Sequence, residues 1–158
     1  TLAVMAIRLG EGHAGSTQAV RYGERLRVGE VEVTFHPAGH VLGAASAHLR
    51  CGPHSLLFSG DLGCSDDLVM GKPAAPQAAD FVLLESTYGQ HSHRVPEALT
   101  RLAKLISRTA ARGGVVLVPA YAAGRAQLLL RGIRQLKAAS RIAWYSVSER
   151  VCCGATVI

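Results

Sequence analysis

The chain has 158 residues and a mass of 16.6 kDa, about one domain's worth of polypeptide and long enough to bury a core. With 49% hydrophobic residues, 18% charged residues and a mean hydropathy of +0.21, it excludes a disordered chain, which needs low hydrophobicity and high charge density. The formal charge of +6 is uneven: Arg101, Lys104, Arg108, Arg112, Arg125, Arg131, Arg134, Lys137 and Arg141 fall in a stretch without acids, which suggests a polyanion partner, although on charge alone a solvated helix face is the first reading.

In chain order, residues 1–8 lack an initiator Met, a basic leader and a small-residue cleavage site, and the chain is expected to start at a cut end. Residues 1–25 give no clear element. Residues 31–35 alternate apolar and polar with β-formers, which predicts a half-buried strand. A second strand is expected over 46–50, turned at Gly52-Pro53 into a third over 55–59. The apolar run Phe81-Val82-Leu83-Leu84, bounded by Asp80 and Glu85, predicts a strand buried on both faces. Pro96 suits a first helical position, with Leu99, Leu102, Ala103, Ile106 and Ala110 on one face and a stop at Gly113-Gly114. Residues 115–118 predict another buried strand, and 124–138 a second helix with Leu128, Leu129, Ile133 and Leu136 inward. Strand, helix, strand, helix is α/β grammar. No apolar run approaches the roughly 18 residues of a membrane span, so no membrane association is expected. Four cysteines at 51, 64, 152 and 153 form no C-x-x-C pair, which points to a reducing compartment and a cytoplasmic location.

Three short constellations carry potential chemistry. His36 and His40 flank Pro37 and Gly39, which make a helix improbable, so the pair does not grip a metal as helical neighbours would. His40 lies among Gly39, Gly43, Ala44 and Ala45, small enough for close ligand approach, whereas His36 reads as a core or surface histidine. Asp61 ends an apolar strand between Gly60 and Gly63; it could bridge cations or simply hydrogen-bond its own backbone as a turn aspartate. Glu85 ends the run 81–84, where it must cap the next turn or join a polar site, because a carboxylate there cannot stay charged without a partner or water.

In this order, A-G-H-V-L-G-A (38–44), F-S-G-D (58–61), L-L-E-S-T-Y-G (83–89) and V-V-L-V-P-A-Y-A-A-G-R-A-Q (115–127) resemble the metallo-β-lactamase-fold nucleic-acid hydrolases of the β-CASP family. The likeness is to RNA-processing members related to the cleavage and polyadenylation endonuclease, over roughly residues 25–138. The resemblance implies an α/β fold, part of a metallo-β-lactamase αββα sandwich running into the start of a β-CASP domain. Residues 1–95 would be the C-terminal part of the first metallo-β-lactamase segment, 96–140 the first helix-strand-helix of the β-CASP region, and 141–158 an atypical tail. It implies a zinc-dependent hydrolase cleaving RNA phosphodiester bonds. His40 and Asp61 would be metal ligands, Asp61 bridging two zinc ions, and Glu85 would orient a general-acid histidine supplied far downstream. Arg125 would be a nucleic-acid contact in the helix leading into the β-CASP domain; Leu128 stands where the family usually has a glutamate. RNA is the implied partner, and the family allows a homodimer in the complete parent.

The family's H-x-H-x-D-H motif should precede His40, yet only His13 and His36 do. That leaves two recognisable zinc ligands where a catalytic zinc takes three from protein. The expectation is an incomplete chain, inactive alone, with its zinc sites unfilled and some sheet surface uncovered. Two alternatives remain: a truncated, non-catalytic module that binds nucleic acid or protein, and a small-molecule ester or thioester hydrolase of the same fold.

Overall fold

The computed structural model describes residues 1–10, 12–91, 94–121 and 124–143, with the backbone of two short strands at 150–152 and 155–157. The chain forms two compact units, Thr1–Ser65 with Gly71–Thr87, and Asp66–Met70 with Tyr88–Ile158.

The first unit opens with helix α1 (Leu2–Leu9), in a region without a clear sequence signal, and none of its residues is buried. Five strands follow: β1 (Arg25–Val28), β2 (Val31–Pro37), β3 (Ala45–Cys51), β4 (His54–Phe58) and β5 (Phe81–Leu83). They pair in chain order, antiparallel from β1 to β4, and parallel between β4 and β5. The expected strands 31–35, 46–50 and 55–59 are thus found within a residue or two of their predicted bounds, with the turn at Gly52-Pro53. The register lines up Leu26, Val33, Leu49, Leu56 and Phe81 on one face, and Arg25, Thr34, His48, Leu57 and Val82 on the other.

The run 81–84 is a strand, but it is not buried on both faces. Phe81, Val82, Leu83 and Leu84 are 55–67% exposed, because β5 is the edge of the sheet and pairs only with β4. At its start the Asp80 carboxylate accepts hydrogen bonds from the Ser55 amide and hydroxyl, both at 2.7 Å, while the Asp80 amide donates to the Ser55 hydroxyl at 3.0 Å. These bonds, led by the one from the Ser55 hydroxyl, hold the Asp80 carboxyl below its ordinary pKa.

The second unit contains α2 (Val95–Ala111), β6 (Pro119–Tyr121), α3 (Arg125–Ala138), β7 (Arg150–Cys152) and β8 (Ala155–Val157). The three strands form an antiparallel sheet in the order β6, β8, β7. Pro96 lies in the first turn of α2 with Glu97 beside it, where its missing N–H costs nothing and the acid meets the positive end of the helix dipole. The core is Ala103, Ile106, Leu136 and Ile142, with Leu99, Leu102, Val116 and Ile133 packed around it. Both helices therefore turn inward largely the apolar residues their 3.6-residue period predicts. Gly132 permits their close approach, since a Cβ there would lie 2.8 Å from Cδ2 of Leu99.

Residues 115–118 form no strand. Val116 reaches the core, but Val115 and Leu117 are 81% and 72% exposed, and the ladder begins only at Pro119. A run of valines fixes an extended backbone without providing it a neighbour. Among the described residues no helix is long and apolar enough to cross a membrane.

Leu136 is 2% exposed, so Leu136→Ala should destabilise this unit by about 2–5 kcal/mol. Urea unfolding followed by far-UV circular dichroism measures this; a loss below about 1 kcal/mol would show that the site is not a packed core.

Candidate functional site

Three strands of the first unit run the same way. Because β3 is antiparallel to both β2 and β4, and β5 is parallel to β4, the C-terminal ends of β2, β4 and β5 lie along one edge of the sheet. His40 lies three residues beyond the end of β2, Asp61 three beyond β4 and Glu85 two beyond β5. The strand directions deliver all three residues to loops at that edge, which is where open α/β sheets place their ligands.

Hydrogen bonds tie the loops together. The Gly63 amide donates to the Ala38 carbonyl at 2.8 Å, joining the Asp61 loop to the His40 loop, and Ala38 is fully buried beneath them. The contact is so close that a Cβ at Gly63 would collide with the Gly39 carbonyl and lie 2.7 Å from the His40 nitrogen. The Ala74 amide donates to the Pro37 carbonyl at 2.8 Å, and the Ala38 amide to the Ala44 carbonyl at 3.1 Å, closing the loop that carries His40.

Glu85 and Ser59 bracket Asp61. The buried Ser59 hydroxyl accepts the Glu85 amide at 2.9 Å and donates to the Gly60 carbonyl at 2.8 Å. The Glu85 carboxylate in turn accepts the Leu62 amide at 3.3 Å and the Thr87 amide at 2.9 Å. The peptide groups on either side of Asp61 are therefore each held by this pair. The Thr87 amide and hydroxyl, then the Leu62 amide, hold the Glu85 carboxyl below its ordinary pKa of 4.5, with a smaller contribution from the charge of His40. The Glu85 carboxylate thus caps the turn at Thr87 and also holds the amide that follows Asp61.

Asp61 is exposed, and no described residue donates a hydrogen bond to its carboxylate. The self-bonded turn aspartate is instead Asp67, whose carboxylate accepts the Val69 and Met70 amides at 2.7 and 2.6 Å. His36 is half-buried within β2, and His40 is half-buried in its loop. Arg125 is in the other unit, exposed at the first turn of α3, where Gln127 caps the helix by accepting the Gly124 amide at 2.7 Å.

The Glu85 carboxylate already accepts the Leu62 and Thr87 amides, whereas no described residue donates to that of Asp61, and His40 and Asp61 are the residues that could ligate a metal. Among the described residues no group of three or more His, Cys, Asp or Glu could hold a metal ion. Two donors fall short of a catalytic zinc's usual three, so these residues do not by themselves fit a zinc centre.

Sequence reasoning assigned no role to Ser59, Leu62 or Thr87, although all three lie inside or beside the motifs it singled out. Ser59 left no signal beyond its place in F-S-G-D, because the burial that obliges its hydroxyl to find partners exists only in the folded chain.

No family model matches the chain. It is 38% identical over 117 residues to a ribonuclease of Thermus thermophilus, covering 73% of this chain and 27% of that protein. It is 38% identical over 107 residues to a transcription termination factor of Methanocaldococcus jannaschii, covering 63% of this chain and 17% of the relative. Over 116 residues it is 38% identical to an endoribonuclease of Neurospora crassa, covering 72% of this chain and 14% of the relative. The chain thus spans about a quarter or less of the length of these curated relatives.

Ser59→Ala removes the acceptor of the Glu85 amide and should cost about 1–3 kcal/mol, read as faster hydrogen exchange at that amide. Unchanged exchange would remove Ser59 from the site. Because the Glu85 pKa is lowered on folding, its contribution to stability is complete above 4.5 and is lost as pH falls through the lowered folded value. The stability deficit of Glu85→Gln relative to the unaltered chain should therefore be greatest at neutral pH and shrink in acid. Denaturant unfolding across that range measures it, and a deficit that grows in acid would contradict the assignment.

Proposed function

Because this chain belongs to the β-CASP family of metallo-β-lactamase-fold RNA-processing proteins, we propose that it acts within an RNA-cleaving hydrolase, its β2, β4 and β5 edge facing the scissile phosphodiester. The observation that carries this reading is the delivery of His40, Asp61 and Glu85 to one edge by three strands of the same direction. In this reading residues 1–95 are part of the αββα sandwich, 96–140 are the start of the β-CASP domain, and 141–158 are an atypical tail.

His40 and Asp61 are the residues of this chain that would help hold the metal the family implies, which would supply an activated water for phosphodiester hydrolysis. The remaining ligands would come from outside the described residues, and the chain alone is not expected to turn over substrate. Glu85 stays ionised, and its two oxygens accept the Leu62 amide and the Thr87 amide and hydroxyl. A carboxylate has about four lone-pair positions, so room remains to orient the imidazole of a general acid. Arg125 would contact phosphate from the second unit.

A second reading, a non-catalytic module that binds nucleic acid, is favoured by the shortfall of metal donors. Zinc stoichiometry of the purified chain tests the module: near two ions per chain would overturn it, whereas near zero fits both readings, which cleavage by the completed chain then separates. In the chain joined to the segments that complete it, Asp61→Ala and His40→Ala should each abolish cleavage of labelled RNA. Retained turnover in either variant would remove that residue from the site.

A further inference from the structure

We infer that the solvent face of α2, completed by Arg141, is a docking strip for the sugar-phosphate backbone of single-stranded RNA, carried by a different unit from the one that holds His40, Asp61 and Glu85. RNA as the occupant rests on the functional reading above; the polyanion-binding character rests on the surface itself.

Charge is divided between the two units. The first carries six Lys or Arg against seven Asp or Glu, and the second carries eleven against four. The chain's basic surplus therefore belongs to the second unit. Within it, at about 100° per helical residue, Arg101, Lys104 and Arg108 fall in one narrow sector, opposite the sector of Leu99, Leu102, Ala103 and Ile106 that faces the core. All three cations are exposed. The one acid of α2, Glu97, sits at the N-terminal end of this stripe.

A fourth cation is brought in from beyond α3. The Arg141 guanidinium donates to the Thr100 hydroxyl at 3.1 Å, and that hydroxyl donates to the Pro96 carbonyl at 2.9 Å. Thr100 is one turn before Lys104, so Arg141 flanks the stripe with its other guanidinium donors uncommitted by this bond. From Arg101 to Arg108 the helix rises about 10 Å, or about three steps of a stacked strand at roughly 3.4 Å per phosphate.

The same surface argues against a lipid headgroup plane. A membrane-surface helix turns its apolar face to the acyl chains, and the apolar face of α2 is committed to the core. Leu105, 57% exposed, is the only large apolar side chain beside the stripe, and α2 has no aromatic residue on which a base could stack. Contacts from this strip are thus to phosphate, and they are tolerant of sequence.

The test is the salt dependence of binding of the full chain to a fluorescent oligouridylate without divalent metal, so that no cleavage is read and the roles of His40 and Asp61 do not enter. Changing Arg101, Lys104 and Arg108 together to Gln should lower the slope of log K against log salt by about 2, at roughly 0.7 per phosphate contact. Changing Arg131 and Arg134 of α3 to Gln should leave the slope unchanged. An unaltered slope in the triple variant, an equal loss per charge in the α3 variant, or vesicles of phosphatidylserine binding as tightly as the RNA would each overturn the proposal. Arg141→Lys, which keeps the charge and loses the fork, should retain the slope; a loss as large as that of the triple variant would show that the strip is held together by packing and not by charge.

Discussion

A strand can deliver its following loop only to the edge toward which it runs. In this protein β2, β4 and β5 share a direction, and everything said of the candidate site depends on that. The residues between sequence motifs are free to vary in length because the sheet, and not the chain, sets their separation. His40 and Glu85 are 45 positions apart in sequence, yet the charge of one is felt by the other.

At that edge, backbone hydrogen bonds do the positioning and leave side chains available for chemistry. Ser59 and Glu85 each take up a peptide group adjacent to Asp61, while the Asp61 carboxylate receives no such bond from the described residues. This arrangement separates rigidity from reactivity: the groups that fix the loop are not those that would meet a ligand.

Much of this was legible in the sequence, for identifiable reasons. The alternation of residues 31–35 and the helical spacing of Leu99, Leu102, Ala103 and Ile106 are local patterns, and local patterns survive folding. Whether Asp61 was a turn aspartate or a chemically available one was harder to tell, because a carboxylate among glycines suits both; only hydrogen bonds decide it, and the one bonded to its own turn is Asp67. The runs 81–84 and 115–118 misled, because apolar composition states what a segment can bury, while its neighbours decide what it does bury. β5 found one neighbour, and 115–118 found no ladder at all. Ser59 was visible only as a letter in a motif, since a hydroxyl's partners are a property of three dimensions.

The reciprocal bonds between Ser55 and Asp80 sit at the opposite end of β4 and β5 from the Ser59 and Glu85 pair. Parallel neighbours slide as units, so the phase fixed by the first pair is transmitted along the five residues of β4, roughly 17 Å, to the second. A shift of one position would turn the side chains of β5 to the wrong side of the sheet and carry Glu85 away from the Ser59 hydroxyl. The far rim thereby acts as the calibration mark for the near one, and a substitution that touches no candidate ligand can still misalign them all.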